Sequence, residues 1–116
     1  MTKVYIAGPI TGLPKEEYLA AFKYWENQAR GEYPGAIVIN PAEILTPLEG
    51  MSQEEFMIIC KAMVDVCDMV WLIPGWMSSA GARQERAHAL DRGIPVLFIE
   101  TYVGGMDKGE KQDGIL

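Results

Sequence analysis

The sequence predicts an α/β domain, a three-layer α/β/α sandwich of the flavodoxin/Rossmann-like kind around a small parallel sheet of four strands or slightly more. Three observations point there. Short β-rich runs alternate with longer stretches of helical period in the order β-α-β-α-β-α-β. The run Met69-Val70-Trp71-Leu72-Ile73 is apolar without interruption, as a strand covered on both faces must be. The chain has 116 residues, 49% apolar and 22% charged, which suits one domain with its own core. Right-handed crossovers then put helices on both faces of the sheet. Ligands of such sheets bind beyond the carboxyl ends of the strands.

Val4 to Ala7 forms the first strand, broken by Gly8-Pro9-Ile10-Thr11-Gly12. Pro14 to Arg30 reads as helix, with proline in the first turn and Tyr18, Phe22 and Trp25 spaced i, i+4, i+7 as a buried stripe. Gly31, Pro34 and Gly35 end it, and Ala36 to Ile39 is a second strand stopped by Asn40-Pro41. Residues 42–50 form a linking loop with room for one helical turn. Ser52-Gln53-Glu54-Glu55 is a capping box, opening a helix that runs to about Val66. Phe56, Ile59, Cys60, Met63, Val66 and Cys67 share one face, and Met57, Ile58, Ala62 and Val64 make the helix apolar nearly all round. Such a helix is buried on more than one side. In a domain this small that predicts a subunit interface, hence a homodimer or higher homo-oligomer. After the third strand comes a loop, Pro74 to Ser79. A helix over Ala80 to Arg92 follows, closed by Gly93 as a left-handed C-cap, then a last strand from Ile94 to Ile99. The domain is expected to fill residues 1–103. Residues 104–116, rich in Gly, Lys, Glu and Asp, are expected to form a flexible tail.

Lys and Arg number 10 against 16 Asp and Glu, a net charge of −6. That charge gives no bulk attraction to nucleic acid polymers or anionic membranes, although a local basic pocket can still hold one small anion. No apolar run approaches the roughly 20 residues of a membrane span. Met1-Thr2-Lys3 lacks the features of a signal peptide, so a cytoplasmic protein is expected. Cys60 and Cys67 stand two turns apart on one helix, too far for a disulfide, and are expected as reduced core thiols. With one histidine and no zinc spacing, no metal and no cofactor are expected.

Two loops at the ligand edge draw attention. Gly8 to Gly12 is neither a Walker loop nor a dinucleotide fingerprint, but its glycines let backbone N–H groups approach a ligand and Thr11 offers a hydroxyl. It equally reads as a tight turn. In the second loop Ser78, Ser79 and Gly81 lead into a helix N-terminus suited to a phosphate, with Arg83 and Arg86 able to add charge; a plain helix cap is the other reading. Glu85 lies one turn inside that helix. Ala82 denies it a capping box and Ala89 an i, i+4 ion pair, so space is left beside a carboxylate that becomes a candidate nucleophile. His88 reads as a surface or interface residue. Asp68 ends the second long helix and begins the third strand. Trp71 belongs to the core, whereas Trp76 in the ligand-edge loop could stack on a base.

Together Tyr5-Ile6-Ala7-Gly8-Pro9-Ile10-Thr11-Gly12, Asn40-Pro41-Ala42-Glu43, Asp68 to Trp76, and Ser79-Ala80-Gly81-Ala82-Arg83-Gln84-Glu85 resemble the nucleoside 2-deoxyribosyltransferase superfamily. The resemblance spans residues 3 to about 99 and is nearest a small phage and prophage branch. The superfamily includes 2′-deoxynucleoside 5′-monophosphate N-glycosidases. The resemblance implies that Glu85 attacks the anomeric carbon and that the Tyr5 hydroxyl orients it. It implies that Ser79 contacts a 5′-phosphate, with Gly81 beside it, and that Gly8, Pro9, Ile10, Thr11 and Gly12 close over substrate. Asp68 and Trp76 complete the expected substrate-binding set. One departure stands out: members often carry aspartate eight residues before the position of Asp68, where this chain has Cys60. A thiol does not replace a carboxylate as acceptor or proton carrier near neutral pH. The expected activity is cleavage or transfer of the N-glycosidic bond of a (deoxy)nucleoside 5′-monophosphate. The alternative is a nucleotide-binding or sensing protein of the same fold without catalysis.

Overall fold

The computed structural model describes residues 1–48 and 50–99. The tail expected at 104–116, and the domain end at 103, lie outside the described residues. The elements are β1 (Lys3–Ala7), α1 (Lys15–Glu32), β2 (Ile37–Ile39), α2 (Pro41–Leu45), α3 (Gln53–Asp65), β3 (Met69–Leu72), α4 (Ala80–Asp91) and β4 (Val96–Phe98). Single 3-10 turns occupy Thr46–Leu48 and Trp76–Ser78. All strand pairs are parallel, in the order β2-β1-β3-β4, with Tyr5 paired to Ile39 on one side and Val70 on the other.

Strand alternation divides the core into two layers. Tyr5, Ala7, Val70 and Leu72 pack with Met57, Cys60, Val64 and Cys67 of the α3 segment and Ala89 of α4. Val4, Ile6, Trp71 and Ile73 pack with Phe22 and Ala29 of α1. The three-layer α/β/α sandwich is therefore present. Helix α1 covers one face and α3 and α4 the other, and because all strands are parallel their carboxyl ends share one edge.

The boundaries follow local chemistry. Helix α1 starts one residue later than the sequence suggests, because Pro14 serves as the cap residue and Lys15 is the first helical residue. The expected linking loop contains α2: the Asn40 side chain accepts from the Glu43 N–H at 3.2 Å, and Pro41 supplies a pre-set φ at the first helical position. The capping box of α3 forms in both directions, Glu55 N–H to Ser52 Oγ at 3.1 Å and Ser52 N–H to Glu55 Oε1 at 2.8 Å. The buried line of this helix runs through Met57, Cys60 and Val64, flanked by Phe56, Ile59 and Met63, and Cys67 continues it just past the helix end. Val66 leaves that line as the C-cap residue and is 58% exposed, and Ile58 on the outer face is 66% exposed. Gly93 takes the expected left-handed conformation, φ 75°.

A buried carboxylate not anticipated from the sequence fixes α1 to the β2–α2 turn. Glu26 accepts from Asn40 Nδ2 at 3.0 Å and from Arg30 Nη2 at 2.6 Å, and Lys23 Nζ lies 3.2 Å away. Burial pushes this carboxyl upward. Its donors outweigh that and hold it below the ordinary 4.5, so it stays ionised as a structural tie.

Candidate active site

A cavity of about 340 Å³ opens at the carboxyl edge of the sheet, and Glu85 forms part of its wall. Glu85 sits in the second turn of α4 and is 5% exposed. Ala82 and Ala89, one turn before and after it, are also buried, so no side chain of its own helix covers the carboxylate. From the central strand β1, the Tyr5 hydroxyl donates to Glu85 Oε2 at 2.7 Å. Cys60 reaches the same point from α3 and also lines the cavity.

These three groups titrate far apart. Burial pushes the Glu85 carboxyl up to about 7, with the Tyr5 hydroxyl and the Cys60 thiol drawing it back. Burial, reinforced by the charge of Glu85, keeps the Tyr5 hydroxyl well above 10.0. The Cys60 thiol is pushed up to about 12 by burial and then by Glu85. Near neutral pH only Glu85 changes charge. Tyr5 is a fixed donor and Cys60 a neutral thiol.

The rest of the wall is mixed: Ile10, Tyr18, Pro41, Leu45, Phe56 and Met57 give it an apolar side, and Thr11, Lys15, Thr46, Gln53 and Ser79 a polar one. Gly8, Ile10 and Thr11 line it from the first loop, Ser79 and Gly81 from the second. Ser79 caps α4, its Oγ accepting from the Ala82 N–H at 3.0 Å, a role that leaves the hydroxyl hydrogen able to donate. Gly81 keeps space open: a Cβ there would meet Met57 Sδ at 3.4 Å and Gln53 Nε2 at 3.7 Å. Three long helices begin on the rim, through Lys15 of α1, Gln53 of α3 and Gly81 of α4. Each brings the positive end of its dipole. Against these stand Glu16 and Glu17 in the first turn of α1 and Glu54 and Glu55 in that of α3, so only the start of α4 is free of acidic side chains.

Four expected site residues lie elsewhere. Pro9 turns toward a separate cleft beside α1, and Gly12 is exposed outside the cavity wall. Asp68 lies at the opposite, amino edge of the sheet, where its Oδ2 accepts from the Lys3 N–H at 2.8 Å. Trp76 stacks on Phe98 of β4, ring centres 5.2 Å apart, beneath the Arg86 guanidinium at 5.6 Å. Neither arginine lines the cavity, since Arg83 Nη1 donates to the Met77 carbonyl at 2.7 Å. His88 instead joins α4 to α3 through Asp65 Oδ1 at 2.7 Å.

In their place the structure brings in Lys15, Tyr18, Thr46 and Gln53. Lys15 and Gln53 carried a usable signal, because each opens a helix at the ligand edge. Thr46 was hidden in the segment read as a loop. Among the described residues no group of three or more His, Cys, Asp and Glu side chains gathers as a metal site would require. No helix among them is long and apolar enough to cross a membrane.

No curated protein matches the chain. Residues 2–98 match the family described as a domain of unknown function, DUF4406, and the chain belongs to that family.

Proposed function

We propose that the protein cleaves or transfers the N-glycosidic bond of a (deoxy)nucleoside 5′-monophosphate with Glu85 as nucleophile, in the manner of the nucleoside 2-deoxyribosyltransferase-like proteins its motifs resemble. The observation that carries this reading is a buried carboxylate bordering a cavity of about 340 Å³ and held there by Tyr5. That volume lies within the roughly 300–1,000 Å³ of small-ligand pockets.

In the first step a Glu85 oxygen forms a bond to C1′ while the C1′–N bond breaks and its electron pair leaves with the base, through a sugar of oxocarbenium character. The base takes a proton from solvent. Water, or a second base, then attacks C1′ and releases the carboxylate. The Tyr5 hydroxyl keeps one carboxylate oxygen fixed and leaves the other to react. Ser79, Lys15 and the start of α4 supply donors and positive potential for the phosphate. Attack needs the ionised carboxylate, so the rate should rise with pH through about 7.

One observation favours the non-catalytic alternative. Glu85 is the sole carboxylate among the described residues lining the cavity, and Cys60 holds its proton too firmly to protonate a leaving base. Incubation of a deoxynucleoside monophosphate panel, with free base measured by chromatography, tests both. Base release that disappears in Glu85→Ala supports the glycosidase. Release at the same rate in that variant refutes it. Calorimetric binding with no base release supports the binding protein. The exposed outer face of α3 supports a homo-oligomer, and the absence of an apolar spanning helix among the described residues is compatible with the cytoplasm.

A further inference from the structure

Among the described residues a second cavity exceeds the one beside Glu85 in volume. A cleft of about 480 Å³ runs along α1, walled opposite by Pro9, Ile73 and Pro74 from the ends of β1 and β3. Three aromatic side chains line it: Tyr18, Tyr24 and Trp25. The Tyr24 and Trp25 rings stand nearly perpendicular, 88° apart with centres 4.8 Å from each other. Ala21, on the turn between Tyr18 and Trp25, leaves room between them. Glu17 is the one charged residue among the described lining residues, and no lysine or arginine is among them.

We propose that this cleft is a second binding site, for the head of an organic cation carrying an alkylated ammonium group. Aromatic faces carry a negative quadrupole that attracts a cation, and three aromatic side chains border this cleft. The Glu17 carboxylate adds a formal charge at the opening. The apolar wall of two prolines and Ile73 suits methyl groups, whereas a bare ammonium or a metal ion would forfeit its water there without replacement. An anion is disfavoured by every group named. The two cavities differ in cations: Lys15 lines the Glu85 cavity, whereas no lysine or arginine is among the described residues that line this one. The assignment stands whether or not the proposed glycosidase reading does.

The test is titration of the full chain with choline chloride and with its uncharged isostere 3,3-dimethylbutan-1-ol, following the Trp25 indole N–H by NMR, with calorimetry alongside. Saturable binding of choline is expected, with the isostere about tenfold weaker or worse. Glu17→Gln, an exposed substitution, should weaken choline roughly threefold to tenfold, and Ala21→Leu should abolish binding by filling the room between Tyr18 and Trp25. A thermal melt checks that Ala21→Leu folds; if it does not, the isostere and Glu17→Gln decide. Equal binding of the isostere, no saturation by roughly 50 mM, or shifts confined to residues around Glu85 would each overturn the assignment.

Discussion

Replacing Glu85 with glutamine should stabilise the protein, and by an amount that depends on pH. In the fold this carboxyl titrates at about 7, against an ordinary 4.5, because burial disfavours its charge. Between those two values the folded state keeps a proton that the unfolded chain has already released. Stability therefore falls as pH rises from about 4.5 to about 7, and stays at the lower level above. The gap of 2.5 pH units, at about 1.4 kcal/mol each, corresponds to roughly 3 kcal/mol of destabilisation above pH 7. Glutamine fills nearly the same volume, accepts the Tyr5 hydroxyl, and carries no charge to desolvate. Urea melts of both proteins at pH 5 and pH 8 measure the difference. The variant should gain little near pH 5, while near pH 8 its midpoint should exceed the wild type by roughly 1–3 M. Identical pH dependence in the two proteins, or a variant weaker at pH 8 than the wild type, would show that burial does not hold this carboxyl's proton.

Three further outcomes follow from the same geometry. Tyr5→Phe removes the donor that draws Glu85 downward, so the carboxyl should titrate above 7 and stability at pH 8 should drop by about 1–2 kcal/mol, read by pH-resolved NMR and urea melts. Lys15→Met should weaken a deoxynucleoside monophosphate about tenfold in calorimetry while leaving the unphosphorylated nucleoside unchanged, since only the former presents an anion. Gly8→Ala places a methyl against the Ile73 side chain, 2.7 Å from Cδ1, and should cost about 1–3 kcal/mol in a thermal or urea melt.

The architecture was legible because its signals are local. A capping box, a proline-bounded loop and an unbroken apolar strand each act over a few residues, and α3, the first loop and β3 appear where those signals place them. The pairing of Tyr5 with Glu85, 80 positions apart, came from a resemblance of motifs, and the structure gives it a 2.7 Å hydrogen bond. Where reading by charge failed, the reason was geometric. Arg83 and Arg86 are near Glu85 in sequence, yet 3.6 residues per turn point them at Met77 and Trp76. Asp68 shares a motif with β3 but precedes the strand, which puts it at the amino edge, one strand length from any ligand. The tie between Glu26 and Asn40 left no local signal, because only the packing of α1 against the β2–α2 turn brings the two together.

The convergence of α1, α3 and α4 on one rim bears on how the opening would respond to substitution. The three helix starts present peptide amides there, whose orientation is dictated by chain topology and which no side-chain substitution deletes. Exchanging the charged side chains around the opening would therefore change the local charge while leaving the contribution of these amides, which the fold fixes, in place.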